Sequence, residues 1–254
     1  MFKRHALLLG YAGKQNKFGY LKGVKKDLKN YLRFLTSAYG GAWRPEEVTT
    51  LLAPKLAELK AALKQAQDSD YSFVVYVGLG RYPKGGIHLD LHFNLAGKLS
   101  ETDLQLPNIA QTIILDTCRV PGKNPGFLPF APFLQPLLEG LVDVKKSRFA
   151  YDQAVIKSGK QHLFLYSCSP TQTARDTEKG GLYSTYLIQE AENWVTKQCI
   201  LSAQETALLP LNAAHRLAGL RLLDESPLQS PYAESNNHHH PLPFAVFAPS
   251  GFLS

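Results

Sequence analysis

The residues best suited to chemistry stand at the end of an apolar run. Thr112-Ile113-Ile114-Leu115 leads into Asp116-Thr117-Cys118-Arg119, which brings an aspartate and a cysteine to the end of a predicted buried strand. A cysteine is a strong nucleophile as its thiolate, and a nearby imidazole can take its proton and later protonate a leaving amine. A cysteine taken alone is more often buried and inert, so the surroundings of Cys118 decide between the two interpretations.

The elements that would position these residues alternate between strands and helices. This order predicts an α/β fold, with a mostly parallel central sheet and helices on both faces. The predicted strands are Leu7 to Leu9, Phe73 to Val77, Ile113 to Leu115, Leu163 to Ser167, and Phe244 to Phe247, which we expect to close the sheet. The predicted helices are Lys22 to Tyr39, Pro54 to Gln67, part of Leu134 to Val142, Leu182 to Lys197, and Ala213 to Leu223, with a hairpin over Lys84 to Phe93.

Functional sites in such sheets form at the carboxyl ends of the strands. Asp116, Cys118 and Leu79 all fall at those ends, and so does the glycine-containing turn from Gly10 to Gly13. Neither glycine pair, Gly10 with Gly13 or Gly78 with Gly80, completes a nucleotide-binding fingerprint. The sequence therefore directs attention to cysteine chemistry rather than to phosphate binding.

Composition narrows the class of protein further. The 254 residues are 44% hydrophobic and 19% charged, and the longest apolar runs are only strand-length, so no membrane span is predicted. Three well-separated cysteines fit a reducing compartment without disulfides, and we expect a cytoplasmic location. No Cys-x-x-Cys pair indicates a zinc site, and the run His238-His239-His240 is interpreted as a solvated loop. We predict neither a metal nor another cofactor.

The net charge of +7 is partly concentrated on one predicted helix. Its basic side chains share a single face by their helical spacing: Lys22, Lys25, Lys26, Lys29 and Arg33. A solvated face is the ordinary interpretation, and contact with an acidic partner or a nucleic acid is the functional one. No nucleic-acid-binding motif accompanies the helix, so nucleic acid is the weaker alternative.

Several segments together resemble the caspase-like cysteine peptidases of the metacaspase or orthocaspase type. The resembling segments span most of the chain: His5 to Gly10 (an opening strand), Leu21 to Asp27 (a Leu-x-Gly-x-x-x-Asp segment), Phe73 to Gly80 (a strand that in the family ends Ser-Gly-His-Gly), Ile113 to Arg119 (the nucleophile strand), and Leu163 to Ala174 with Gly181 to Leu187 (the small-subunit strand and helix). The resemblance implies a single caspase-like domain over residues 1–254. It would comprise a large-subunit-like part (1–142), a basic connector (143–160) and a small-subunit-like part (161–254).

The resemblance also implies roles for four residues. Cys118 would be the nucleophile, and the backbone N–H of Gly80 would help to stabilise the oxyanion. Asp116, two residues before the nucleophile, and Asp27 would bind a basic substrate side chain through charge-assisted hydrogen bonds. Substrates would then carry Arg or Lys, and not Asp, at P1. The alternative for Asp27 is a surface carboxylate paired with Lys25 or Lys29.

The sequence departs from the family where the catalytic base is expected. Leu79 occupies the position of that histidine, and leucine cannot accept a proton. His88 and His92 follow on the predicted hairpin and are the only surrogates that proximity favours, with surface histidines as the ordinary interpretation. Val77 and Val120-Pro121 also replace small polar residues of the family pattern, and the proline removes a backbone donor. These departures are more typical of an inactive paralogue than of a single substitution.

We therefore interpret the chain as a pseudopeptidase that acts as a binding or regulatory module for a protein or peptide, dimerising with itself or with an active homologue. The alternative is an active or conditionally active endopeptidase that cuts after Arg or Lys. The basic connector, Lys145 to Lys160, would supply self-processing sites or a solvated loop. A third alternative is an acidic-partner or nucleic-acid binder acting through residues 22–33. Calcium enters only as a cofactor of the family, without support from the sequence itself.

Overall fold

The computed structural model describes residues 2–14, 20–82, 90–92, 98–117, 119–121, 134–201, 205–236 and 240–250. The helices are α1 (Val24–Thr36), α2 (Leu56–Gln67), α3 (Leu134–Leu141), α4 (Val144–Ser158), α5 (Leu182–Ile200) and α6 (Leu211–Glu225). The strands are β1 (Arg4–Tyr11), β2 (Val48–Leu52), β3 (Tyr71–Gly78), β4 (Gly80–Arg81), β5 (Asp90–His92), β6 (Lys98–Ser100), β7 (Ala110–Asp116), β8 (Arg119–Pro121), β9 (His162–Tyr166), β10 (Ala174–Thr177), β11 (Gly180–Gly181), β12 (Ala207–Pro210), β13 (Tyr232–Ser235) and β14 (Pro243–Phe247).

A six-stranded sheet organises the fold, in the order β13-β9-β7-β3-β1-β2. Five of its strands, β2, β1, β3, β7 and β9, run parallel to one another, and β13 pairs antiparallel with β9 at one edge. Among the described residues, short strands form three further small sheets: β4-β5-β6, β11-β10-β8 and β12-β14. The prediction of an α/β fold with a mostly parallel central sheet is confirmed.

The sheet is buried on both faces because its strands carry apolar residues at consecutive positions. On β1, Ala6 and Leu8 join one core cluster with α1 and α5, whereas Leu7 and Leu9 join a second with Leu59 of α2. Successive strand residues point to opposite faces, which explains why these runs are continuous rather than alternating. Full burial of each of these leucine side chains contributes about 1.5–3 kcal/mol.

The last predicted strand does not close the central sheet. β14 pairs antiparallel with β12 in a separate two-stranded sheet, and all five of its residues are buried. The edge position belongs to β13, whose residues are half-buried or exposed. The prediction was wrong because an apolar run covered by helices looks the same in sequence as a central strand, whereas β13 carries almost no apolar signal.

The predicted basic connector is mostly the helix α4. Its buried residues recur at helical spacing: Ser147, Tyr151, Val155 and Ser158. Asp143 caps the helix by accepting a hydrogen bond from the Lys146 N–H at 2.9 Å. The interpretation of this segment as a solvated loop was wrong because the buried stripe includes serines and a tyrosine, which weaken the apolar periodicity.

One core cluster contains residues from before, within and after α4. The division of the chain into subunit-like parts stays a prediction.

Ion pairs hold α4 against the start of the sheet. The Arg4 side chain is fully buried and contacts Asp152 of α4 at 3.0 Å and Glu47 at 3.4 Å. Arg148 of α4 also pairs with Glu47. The Arg4 guanidinium additionally lies over the Trp43 ring, 4.4 Å from its centroid. These contacts make α4 an integral element of the fold, and removing one partner would leave a buried charge uncompensated.

Candidate functional site

The carboxyl ends of β1, β3 and β7 meet at one edge of the central sheet. The parallel register pairs Tyr11 with Gly78, and Val77 with Asp116. Leu79 follows β3 directly, and Asp116 is the last residue of β7. Cys118, the predicted nucleophile, lies outside the described residues, so its role stays a prediction. The described part of this edge is formed by Leu79, Gly80 and Asp116.

Leu79 is held in place by its backbone. Its N–H donates to the Tyr11 carbonyl at 3.1 Å, and its carbonyl accepts from the Tyr76 hydroxyl at 2.7 Å. The half-buried side chain packs against the larger core cluster. Gly78 before it has a φ of +152°, and a Cβ there would lie 2.3 Å from the Tyr11 carbonyl oxygen, so a glycine is required. The side chain at this position offers no proton acceptor.

The small sheet β4-β5-β6 continues from Leu79. Gly80 pairs with Leu91, and Arg81 with Asp90. His92 follows Leu91 on β5 and pairs with Lys98 of β6, and its role as a surrogate base stays a prediction. His88, the other predicted surrogate base, lies outside the described residues. The oxyanion role of the Gly80 N–H also stays a prediction.

Three other described histidines lie away from Leu79. His5 and His162 lie at the amino ends of β1 and β9, the opposite end of the sheet from Leu79. His215 of α6 is buried, and its Nδ1 lies 2.7 Å from the Tyr183 hydroxyl. Burial lowers the pKa of His215 to about 4. His215 is therefore neutral at physiological pH and packed inside the helical layer.

Asp116 is completely buried and bonded to the first turn of α5. Its Oδ2 accepts from the Ser184 N–H at 3.2 Å and from the Ser184 hydroxyl at 2.5 Å. The first N–H groups of a helix have no partner within the helix, and they carry the positive end of its dipole. The Asp116 carboxylate therefore accepts from a backbone donor that the helix itself leaves without a partner.

Asp27 is also completely buried and reaches the same turn from α1. Both of its carboxylate oxygens accept from the Gly181 N–H, at 2.9 and 3.1 Å. The alternative that Asp27 is a surface carboxylate paired with Lys25 or Lys29 is wrong, because the helix turns Asp27 inward and both lysines outward. The two acidic residues named from sequence thus meet around the Gly181–Ser184 turn.

A third buried carboxylate, which the sequence did not single out, belongs to Asp176 of β10. It accepts from the Gly23 N–H at the start of α1 at 3.1 Å, and β10 pairs Asp176 with Gly181. A Cβ on Gly23 would lie 2.5 Å from the Thr177 carbonyl oxygen, so α1 approaches this hairpin very closely. No local pattern identifies Asp176, because its partner is more than a hundred residues away in the chain.

Tyr183 belongs to the Gly181–Ser184 turn and contacts His215 of α6. Burial raises its pKa well above the usual value, and the charges of Tyr31 and Asp116 add to the effect. Its hydroxyl is therefore protonated at all physiological pH values and connects α5 to α6 through His215. The buried pair of Tyr183 and His215 thus attaches the Gly181–Ser184 turn to α6.

The residues after Cys118 form a strand rather than only a loop. β8 pairs parallel with β10, with Arg119 opposite Ala174 and Pro121 opposite Asp176. Proline has no N–H to donate, and β8 is an edge strand of this small sheet, where proline is tolerated. Residues 122–133 lie outside the described residues.

The basic face of α1 is confirmed as exposed. Lys25, Lys26 and Lys29 are exposed, and they form no ion pair within the part of the chain that the structure describes. Lys22 pairs with Glu178 at 3.5 Å, and Arg33 with Glu192 at 3.1 Å. An acidic partner for this face stays a prediction.

Two further observations concern other classes of site. Across the described ranges, no three His, Cys, Asp or Glu side chains are grouped as a metal ion would require. No helix within those ranges is long and apolar enough to cross a membrane. The expectations about calcium and other cofactors remain predictions.

The sequence matches the family described as the caspase domain over residues 3–215. No curated protein matches the sequence. A structural genomics structure from Geobacter sulfurreducens is similar with a TM-score of 0.59 and 14% identity, covering 95% of this chain and 97% of its own. Caspase-1 from Spodoptera frugiperda is similar with a TM-score of 0.56 and 12% identity, covering 92% of this chain and 86% of its own. At such identities the structural likeness establishes the fold alone.

Proposed function

The chain belongs to the caspase domain family, and from this premise we propose that it is a pseudopeptidase that binds basic side chains. In this proposal Cys118 occupies the position of the nucleophile, and Leu79 occupies the position of the catalytic base. A protein or peptide carrying Arg or Lys would bind beside them without being cut. The chain would then act as a binding or regulatory module.

The observation that carries the proposal is the environment of Leu79. Its backbone is fixed to Tyr11 and Tyr76, and its side chain packs against the core. The Leu79 side chain fills the position where the family has an imidazole. A water molecule or a neighbouring group acting as the base would have to displace that side chain. Loss of a general base costs about 10²–10⁴-fold in rate, and more when the base acts as a unit with its nucleophile.

The preference for basic ligands rests on Asp27 and Asp116. Both carboxylates are buried, and both contact the Gly181–Ser184 turn. A guanidinium or ammonium group binds carboxylates through short charge-assisted hydrogen bonds, which are strengthened in a low-dielectric setting. The competing explanation is that these carboxylates serve only to cap α5.

Titration calorimetry with N-acetyl-arginine amide tests the proposal directly. N-acetyl-citrulline amide is the matched control, because it has the same shape without the charge. We expect the arginine compound to bind and the citrulline compound to bind at least tenfold more weakly, with Asp116→Asn removing the difference. If Asp116→Asn lowers the melting temperature while the wild-type chain does not distinguish the two compounds, Asp116 only caps α5 and the proposal fails.

One observation favours the alternative of an active endopeptidase. Gly80, the residue after Leu79, pairs with Leu91, the residue before His92, which makes His92 the candidate for a surrogate base. Hydrolysis of fluorogenic Arg-P1 peptides that is abolished by both Cys118→Ala and His92→Gln would establish this alternative. Intact mass after incubation adds an independent measurement, since self-cleavage would give two fragments.

The third alternative, an acidic partner on α1, rests on its exposed lysines. Binding through Lys25, Lys26 and Lys29 would weaken steeply with added salt. Replacing the three lysines with glutamine would abolish such binding, whereas arginine titration beside Asp116 would be unaffected. This pair of measurements separates the basic face from the acidic site.

A further inference from the structure

Ser184 contacts the Asp116 carboxylate with two donors. Its N–H lies 3.2 Å and its hydroxyl 2.5 Å from the same oxygen, Oδ2. Ser184 is 1% exposed, and Asp116 is completely buried. Ser184 therefore contributes both a backbone and a side-chain donor to the orientation of Asp116.

Tyr31 of α1 sets the direction of the Ser184 hydroxyl. The buried Tyr31 hydroxyl donates to the Ser184 Oγ at 3.2 Å. Because this donation occupies a lone pair of the serine oxygen, the serine proton is directed toward Asp116. A chain of hydrogen bonds thus runs from Tyr31 through Ser184 to Asp116, and it links α1, α5 and β7. Such networks are stronger inside a protein than in water.

We propose that Ser184, oriented by Tyr31, is a positioning residue that sets the affinity of Asp116 for basic side chains. This inference rests on the proposed binding of Arg and Lys beside Asp116. The two donors fix one carboxylate oxygen and hold the group in a single orientation. A basic ligand then meets a preorganised acceptor, so that less of its binding energy is spent on ordering the site.

The neighbouring Thr185 supplies a matched control. Its Oγ1 is buried on the same turn of α5 and has no hydrogen-bond partner in the described part of the chain. Thr185→Ala and Ser184→Ala each remove a hydroxyl from that turn, but only the second removes a donor to Asp116. A general loosening of the helix would therefore affect both variants, and a positioning role only one.

The experiment measures binding of N-acetyl-arginine amide and N-acetyl-citrulline amide to the full chain by calorimetry, with the melting temperature of each variant recorded alongside. We expect Ser184→Ala to weaken arginine binding about tenfold, since the freed carboxylate would have to be ordered when the ligand binds. Tyr31→Phe should weaken it less, by about threefold, because the donor itself remains. Ser184→Thr keeps the hydroxyl and should bind arginine as tightly as the wild-type chain does. Thr185→Ala should also leave arginine binding unchanged.

The outcomes separate the inference from the proposed function. Equal arginine affinity in wild-type and Ser184→Ala chains, with a lowered melting temperature, would show that Ser184 only stabilises α5 and would overturn the inference alone. Weakening of equal size in Ser184→Ala and Thr185→Ala would overturn it as well. Absence of any arginine preference in the wild-type chain would refute the proposed function, and the inference with it.

Discussion

Acid should destabilise this protein through His215. The imidazole is 8% exposed, and burial lowers its pKa from 6.5 to about 4. The unfolded chain therefore binds a proton at a higher pH than the folded chain does. Stability due to this group is complete above about pH 6.5 and falls as the pH is lowered toward 4, because only the unfolded state gains the proton in that interval.

The magnitude follows from the size of the shift. A difference between 6.5 and about 4 corresponds to a loss of unfolding free energy on the order of 3 kcal/mol across the interval. His5 is also buried, and burial lowers its pKa as well. Its contribution has the same sign, so part of the pH dependence remains when His215 is replaced.

Denaturant unfolding between pH 4 and 7.5 provides the assay, on wild-type, His215→Asn and Tyr183→Phe chains. The asparagine offers Tyr183 an acceptor but does not titrate, so its unfolding free energy should depend much less on pH. Tyr183→Phe removes the hydrogen bond but keeps His215 buried, so the pH dependence should persist at lower stability. An unchanged pH dependence in His215→Asn would refute the reasoning.

Two further predictions concern the fold around the site. Gly180→Ala should lower the free energy of unfolding by about 2–3 kcal/mol, because φ at Gly180 is +124° and the new Cβ would lie 2.2 Å from the Asp27 carboxylate. Gly140→Ala is the control and should be neutral or stabilising, because a Cβ at Gly140 meets open space. Thermal unfolding measures both variants, and equal losses of stability would contradict the argument. Trypsin should cut the wild-type chain slowly after Lys145, Lys146 and Arg148, because these residues lie in α4. Glu47→Gln should accelerate this cutting roughly tenfold, because it removes the ion-pair partner of Arg148. Intact mass measures the cutting, and rapid cutting of the wild-type chain would contradict the assignment of this segment to a stable helix.

Long apolar runs carried most of the prediction of the fold. The strands β1, β3 and β7 are buried on both faces, so their sequences are distinctive without knowledge of their neighbours. The half-exposed edge strand β2 was missed, and β14 was assigned to the wrong sheet. In both cases the deciding factor is the layer packed against the strand, which local sequence does not encode.

The site shows the same division. Asp27 occupies a helical position different from that of the lysines, and it is buried whereas Lys25 and Lys29 are exposed. Ser184 and Asp176 were not identified, because their partners Asp116 and Gly23 are distant in the chain and are brought near only by the completed sheet. The helical character of α4 also depends on buried ion pairs with residues near the start of the chain.

The central claim is that a missing base at Leu79 silences the site. Hydrolysis of fluorogenic Arg-P1 and Lys-P1 peptides by the wild-type, Leu79→His and Leu79→His/Cys118→Ala chains tests it most directly. We predict hydrolysis by Leu79→His alone, with a gain of about 10²–10⁴-fold over the wild-type rate, and its loss in the double variant. Cys118-dependent hydrolysis by the wild-type chain would contradict the claim.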